Sequence, residues 1–320
     1  MHFVIHNTQA FGDMLLGTHV AKFIKKHITN CHITFAINQS ATLTTAEKSP
    51  DGLFQMAEIL LLQEGLDTIG LVNDNKIQYL MGKKSPNDSL MKIIKQYEWY
   101  SDLGIVKSMF TDLFQMGFGE HNTETEFWFG RYPDRPTNRL KIVTLGPLDW
   151  NKKWGNEEGR KKILSHVSSK NVELIQIGRD IKQQRYLQAL QQMQDCHLYL
   201  GPAGSVGHAA AGVGMDTIVL CEVFPPQVLS PEFYHSGYHK SIVARAENHC
   251  GSYKCITQKK FDIIKSQEGF GNPVVEFNSF WTPTCTYMPD NKSCVAMIQP
   301  EQLIDAFDMW YNERKDFHLR

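Results

Sequence analysis

Apolar and polar positions alternate along this chain in the manner of βαβ units, because short apolar runs are followed by amphipathic stretches. The first unit is the clearest: residues 3–5 predict a buried strand, residues 7–12 a loop and residues 33–37 a second strand. Between the strands, Leu16, Val20, Phe23 and Ile24 recur at the spacing of one helix face. The chain therefore begins with a pattern typical of a parallel sheet.

The later parts of the chain continue the alternation and suggest a boundary. Helices are predicted over residues 53–62 and 90–97, and a strand over residues 68–72. Residues 131–138 carry two prolines among polar residues and predict a linker. The second series has predicted strands over residues 141–145, 172–177, 197–200 and 216–221, and predicted helices over residues 157–167, 182–193 and 205–213.

These elements predict the α/β class with two domains, residues 1–135 and residues 136–298. The regular alternation of strand and helix patterns stops after residue 222. A last helix is predicted within residues 299–320, with Pro300 in its first turn and an apolar face that would pack back across both domains.

Composition narrows the class of protein. The 320 residues are 42% hydrophobic, as in an ordinary globular protein. The net charge of -1 produces no overall electrostatic field that would attract nucleic acid or an anionic membrane. The first residues lack the features of a signal peptide, and no apolar run is long enough to span a bilayer. Seven cysteines are an odd number and too sparse for a disulfide scaffold, so we expect a cytoplasmic protein.

Three segments could carry chemistry. A glycine-rich turn over residues 201–207 joins a strand to a helix of small residues, and its backbone N–H groups could hold a diphosphate; a plain tight turn is the alternative. Lys152 and Lys153 follow a strand at its carboxyl end, where an ammonium could neutralise a departing phosphate, or they form a solvated pair on a loop. Asp13 follows Gly12 and has two equally weighted interpretations. It is a carboxylate in the first turn of a helix, or it is a general base that faces a cleft between the domains.

Together and in this order, these segments resemble the ADP-heptose:lipopolysaccharide heptosyltransferases, glycosyltransferase family nine. The resemblance rests on residues 12–18, on Lys152-Lys153-Trp154 and on residues 201–210. It implies the GT-B fold, with two Rossmann-like, doubly wound domains facing across a cleft. The acceptor would bind to the first domain and the nucleotide-sugar donor to the second. It also implies a transfer that inverts the anomeric carbon.

The resemblance assigns roles by position. It makes Asp13 the base that takes the acceptor proton and Lys152 the contact to the donor phosphate. On the donor side it also implies Gly204, Ser205 and Val206, whose backbone N–H groups would contact the diphosphate, with His208 behind them. On the acceptor side it implies Gly12 and Thr18. No Asp-x-Asp motif occurs in the sequence, which fits a leaving group stabilised by lysine and a helix dipole without a catalytic metal.

The chain also departs from the family pattern. Ala203-Gly204-Ser205 stands where the family has Asp-Ser-Gly, and His19 replaces a usual proline. No clear counterpart exists for the acidic residue expected after the strand at residues 172–177. The donor sugar is therefore left open, and the acceptor could be lipopolysaccharide core, another glycan, a protein or a modified nucleobase in nucleic acid.

Two further features have open interpretations. Cys250, Cys255, Cys285 and Cys294 could form a structural zinc or iron site, although their spacing differs from tight Cys-x2-Cys pairs, or they are buried thiols or disulfides. Glu222, at the end of the strand after the glycine turn, would contact a ribose hydroxyl or is a surface carboxylate.

Two other functions compete with a transferase. A degenerate family member would bind a nucleotide sugar or glycan without catalysis, and the loss of the acidic residue at Ala203 favours this alternative. A nicotinamide-dependent oxidoreductase would use the glycine turn as a dinucleotide fingerprint, but the spacing of Gly201, Gly204 and Gly207 does not match Gly-x-Gly-x-x-Gly.

Overall fold

Two five-stranded sheets organise the protein in the computed structural model. The structure describes residues 1–7, 11–38, 45–73, 76–83, 91–95, 139–178, 185–221, 238–243 and 298–318. The first sheet uses strands that precede residue 96, and the second uses strands that follow residue 139. The linker predicted at residues 131–138 lies outside the described residues.

The first sheet is parallel apart from one hairpin. Its strands run in the order β4-β3-β2-β1-β5, and β4 pairs antiparallel with β3. The strands are β1 (His2–Asn7), β2 (His32–Asn38), β3 (Thr68–Asn73), β4 (Lys76–Gly82) and β5 (Met91–Lys95). The described helices that accompany them are α1 (Phe11–Gly17), α2 (His19–His27), α3 (Thr45–Lys48) and α4 (Pro50–Leu61).

The second sheet has five parallel strands in the order β10-β9-β8-β6-β7. They are β6 (Leu140–Leu145), β7 (Val172–Ile177), β8 (Leu198–Pro202), β9 (Asp216–Cys221) and β10 (His239–Val243). The described helices are α5 (Pro147–Lys153), α6 (Glu157–Ser168), α7 (Tyr186–Met193), α8 (Ser205–Gly212) and α9 (Pro300–His318).

Both sheets are filled with apolar side chains on their inner strands. Every residue of β8 and of β9 is buried, as is the centre of β2. Strands of this kind need a covering on both faces, which the parallel crossover helices supply. The predicted α/β class and its strands at residues 172–177 and 216–221 are confirmed by this architecture.

Two predicted elements were wrong. Within the helix predicted over residues 90–97, the described residues 91–95 form a strand instead. This strand, β5, pairs in parallel with β1, and its two isoleucines point to opposite faces, Ile93 being 46% exposed and Ile94 fully buried. The loop predicted up to Gly12 ends earlier, since α1 already begins at Phe11. Lys152 and Lys153 lie in α5, so the alternative in which they form a pair on a loop does not hold.

The C-terminal helix α9 packs on the second sheet. The indole Nε1 of Trp310 donates to Asp216 Oδ2 at 2.8 Å, and His166 Nε2 lies 2.9 Å from Asp308 Oδ1. Phe307 and Trp310, which belong to α9, are fully buried. Across the described residues, the helices lack the combination of length and hydropathy that a bilayer crossing requires.

Candidate functional site

The candidate site lies where α1 of the first half meets α8 of the second. Each helix is the next described element after an interior strand of its own sheet, α1 after β1 and α8 after β8. At the contact, a Cβ built on Gly12 would lie 3.1 Å from Ser205 N and 3.2 Å from both Ser205 Cα and His208 Cδ2. Gly12, Ser205 and His208, all singled out from the sequence, are thus neighbours in space.

The glycine turn ends in a helix start that suits an anion. Gly204 has φ 153°, a conformation that favours glycine, and it is the N-cap residue of α8. The amide of Ala203 donates to Leu220 O at 2.9 Å and is therefore used by the adjacent strand end. The first-turn N–H groups of a helix have no partners within the helix, so those of α8 form an electropositive end.

The other glycines of the turn have a packing explanation. Tyr199 is fully buried in β8, and its hydroxyl donates to Pro202 O at 2.7 Å. A Cβ on Gly201 would lie 2.9 Å from that hydroxyl oxygen, and a Cβ on Gly207 would lie 3.2 Å from the Tyr199 ring. The glycine spacing therefore follows from the tyrosine beneath the turn, which also removes the main argument for a dinucleotide fingerprint.

Asp13 and Lys152 each lie on the helix that follows the first strand of their half, but at opposite ends of that helix. Asp13 is in the first turn of α1, and Lys152 is in the last turn of α5, the helix that follows β6. Trp150 anchors α5, because it is buried and its Nε1 donates to Thr144 Oγ1 at 3.0 Å. The side chains of Asp13 and Lys152 lie outside the described part of the structure, so their roles stay predictions.

Thr18 has a local structural use. It is fully buried at the N-cap of α2, and its hydroxyl donates to Leu15 O at 2.7 Å. The hydrogen bond ties the end of α1 to the start of α2. Its predicted place on the acceptor side stays a prediction.

Two buried histidines accompany the contact. His19 is fully buried at the start of α2, and burial, together with the charges of His208 and Lys22, lowers its pKa from 6.5 to about 3. His208 is 4% exposed and contacts Gly12. His19 is therefore neutral at physiological pH. The sequence signalled this residue as a departure from the family pattern, but it gave no sign of the proximity to His208.

A second contact between the halves was not predicted. The backbone N–H of Tyr186, the first residue of α7, donates to Gln55 Oε1 of α4 at 3.1 Å, and the Tyr186 ring stacks on Phe11 with centroids 5.1 Å apart. Arg185 adds ion pairs of 3.7 Å to Asp51 and Glu58. The sequence shows these residues as parts of separate helices, and only the fold brings them together.

The remaining candidates fall elsewhere. Glu222, Cys250, Cys255, Cys285 and Cys294 lie outside the described residues. Within the described ranges, no group of three or more His, Cys, Asp and Glu side chains is arranged to hold a metal ion. The described cysteines carry buried thiols at positions Cys31, Cys196 and Cys221.

Comparisons with known proteins support the fold. A family 9 glycosyl transferase from Veillonella parvula shares 13% identity over 98% of this chain and 97% of its own, with a TM-score of 0.55. The iron-containing dodecameric glycosyltransferase TibC from enterotoxigenic Escherichia coli shares 11% identity over 98% of this chain and 76% of its own, with a TM-score of 0.61. The E. coli heptosyltransferase WaaC, solved with ADP-2-deoxy-2-fluoro heptose, shares 9% identity over 83% of this chain and 100% of its own, with a TM-score of 0.51.

Sequence comparison gives no counterpart to these structural matches. No protein-family model matches the chain, and neither does any curated protein. The structural matches and the two parallel-rich sheets agree with the resemblance to family nine drawn from Gly12, Lys152 and the glycine turn. The chain has the GT-B fold of the family 9 glycosyltransferases.

Proposed function

We propose that this protein is an inverting, metal-independent glycosyltransferase that moves a sugar from a nucleotide-sugar donor to an acceptor hydroxyl. The observation that carries the proposal is the contact between Gly12 and Ser205. It joins the segment of Asp13, the proposed base, to a helix start suited to a diphosphate. An inverting displacement needs these two functions on opposite sides of one anomeric carbon.

The donor diphosphate is proposed to bind at the start of α8. Gly204, Ser205 and Val206 form the N-cap and first turn, where N–H groups and the helix dipole favour negative charge. Lys152 of α5 is proposed to neutralise the charge that develops on the leaving phosphate, since α5 follows the neighbouring strand β6. Glu222, directly after β9, is a candidate contact to the ribose.

The proposed reaction is a single displacement. The Asp13 carboxylate takes the proton of the acceptor hydroxyl as its oxygen bonds to the anomeric carbon of the donor sugar. The bond from that carbon to the diphosphate oxygen breaks, and its electron pair leaves with the nucleoside diphosphate. Attack opposite the leaving group inverts the anomeric configuration.

The donor is proposed to be a nucleoside-diphosphate hexose or heptose. WaaC, which shares the fold, binds an ADP-heptose analogue, so ADP sugars are the first donors to examine. Ala203 stands where the family has an acidic residue, and this change would alter the contact to the donor sugar. The acceptor is a hydroxyl of a glycan, lipopolysaccharide, protein or nucleic acid.

A ligand screen tests the donor proposal. Thermal unfolding is measured with nucleoside diphosphates, their sugars and NAD(H), because a ligand present at about 100 times its Kd stabilises the native state by about 2.7 kcal/mol. We expect one nucleoside diphosphate and its sugars to raise the Tm. Stabilisation by NAD(H) without any nucleotide sugar would contradict the proposal.

A second measurement separates catalysis from binding. The protein is incubated with the donor that raises its Tm, and release of the nucleoside diphosphate is followed in the presence of candidate acceptors. Transfer or slow donor hydrolysis is expected from an enzyme. Binding without either reaction would identify a non-catalytic nucleotide-sugar-binding protein instead. The metal content of the purified protein tests the proposed site at the four distal cysteines.

A further inference from the structure

The identity of Gly12 is not explained by its own backbone. Gly12 lies in helix α1, and it is not among the described residues with positive φ. Alanine is the better helix former, so a glycine at this position weakens α1 locally. The requirement for glycine at position 12 must therefore come from the atoms that pack against it.

The neighbours of Gly12 are fixed atoms of the second half. The closest contacts of a Cβ at this position would be the backbone N and Cα of Ser205, at 3.1 and 3.2 Å, and the His208 ring at 3.2 Å. Backbone atoms at a helix start cannot rotate away as a flexible side chain does. Gly12 and His208 are buried, so solvent offers no alternative space.

We propose that Gly12 is a positioning residue whose missing side chain sets the spacing between α1 and the start of α8. The inference rests on the proposed function. Asp13 is the next residue of the same helix, so a displacement of α1 moves the proposed base relative to the diphosphate site on α8. Donor binding, which is proposed to use the second half, would be affected less than transfer.

A graded series of variants tests the inference. Gly12→Ala and Gly12→Val add one and three carbon atoms at the contact. We expect kcat to fall roughly 10-fold and 100-fold, since displacements of up to about 1 Å cost on this order. The Kd of the nucleoside diphosphate identified in the ligand screen should rise by a clearly smaller factor than kcat falls, because only the start of α8 borders Gly12, whereas Asp13 moves with α1 itself. A fall in nucleotide affinity that parallels kcat, or wild-type kcat in Gly12→Val, would overturn the inference.

Gly159→Ala is the matched control. Gly159 is also a helical glycine, and its Cβ would lie 2.8 Å from Trp154 and Pro300, inside the second half. This variant crowds the core of one half without touching the contact of α1 with α8. We expect a lower Tm but an unchanged kcat for the folded fraction, whereas Gly12→Ala is expected to lower kcat.

Hydrogen exchange gives a readout that needs no substrate. In ligand-free Gly12→Ala, the first-turn amides of α8 and those of α1 should exchange faster than in wild type, while α6 should not change. Faster exchange together with an absence of any transferase activity would leave Gly12 as a spacer and reject the proposed function. Unchanged exchange at α1 and α8 would reject the spacer itself.

Discussion

The Gln55 side chain of the first half caps a helix of the second half, because its Oε1 accepts the hydrogen bond of Tyr186 N at 3.1 Å. Tyr186 is the first residue of α7, and the N–H groups of a first turn have no partner within their own helix. The Tyr186 ring also stacks on Phe11, which immediately precedes Gly12. This contact therefore supports the same relative placement of the halves that brings Gly12 against Ser205.

Gln55→Ala should weaken that placement. The variant leaves a part-buried N–H without its acceptor and should lower the free energy of unfolding by about 1 kcal/mol. It should also lower kcat/KM, because the arrangement that brings Gly12 against Ser205 becomes less populated. Gln302→Ala is a matched control, since Gln302 Oε1 accepts from Gln299 N at the start of α9 within one half. Equal losses of activity in both variants would contradict a role for Gln55 between the halves.

Asp13→Asn should abolish sugar transfer. The amide keeps the size of the side chain but cannot take the acceptor proton, and loss of a general base costs about 10²- to 10⁴-fold in rate. Donor binding, followed by the Tm shift, should remain near that of wild type. Turnover equal to that of wild type would make Asp13 a helix-start carboxylate, which was the alternative left open by the sequence.

Lys152→Ala should slow the departure of the nucleoside diphosphate. Removal of one group that stabilises developing charge costs about 10²- to 10³-fold in kcat. Lys153→Ala is the control, because it removes the same charge from the next position of α5. The two variants are compared at several salt concentrations. Equal effects that disappear at high salt would indicate a general basic surface, not a specific phosphate contact.

The sequence located those parts of the candidate site whose position depends on a single strand and the helix that follows it. The glycine turn and Gly12-Asp13 could be located because each follows an apolar strand at its carboxyl end, which is the ligand edge of such sheets. The strand β5 was missed because its two adjacent isoleucines fit either a helix or a strand, and the pairing with β1 decides between them. The contact of Gln55 with Tyr186 joins residues 131 positions apart, so local patterns carry no information about it.

His19 makes stability depend on pH. Burial, and then the charges of His208 and Lys22, hold its pKa at about 3, below the ordinary value of 6.5. Below pH 6.5 His19 binds a proton in the unfolded chain but stays neutral in the folded protein. The free energy of unfolding therefore falls progressively as the pH decreases from 6.5 towards 3. From pH 7.5 to pH 5, His19 should account for a loss of about 2 kcal/mol in the free energy of unfolding.

His19→Gln should remove that contribution to the pH dependence, whatever its effect on stability at neutral pH. His239 provides the comparison, because burial lowers its pKa to about 4 and its ring lies far along the chain in β10. His239→Gln should therefore remove a similar amount, and the double variant should remove the sum, since distant sites add. Urea unfolding at both pH values measures each difference. If His19→Gln kept the full pH dependence of the wild type, His19 would have to be protonated in the folded protein.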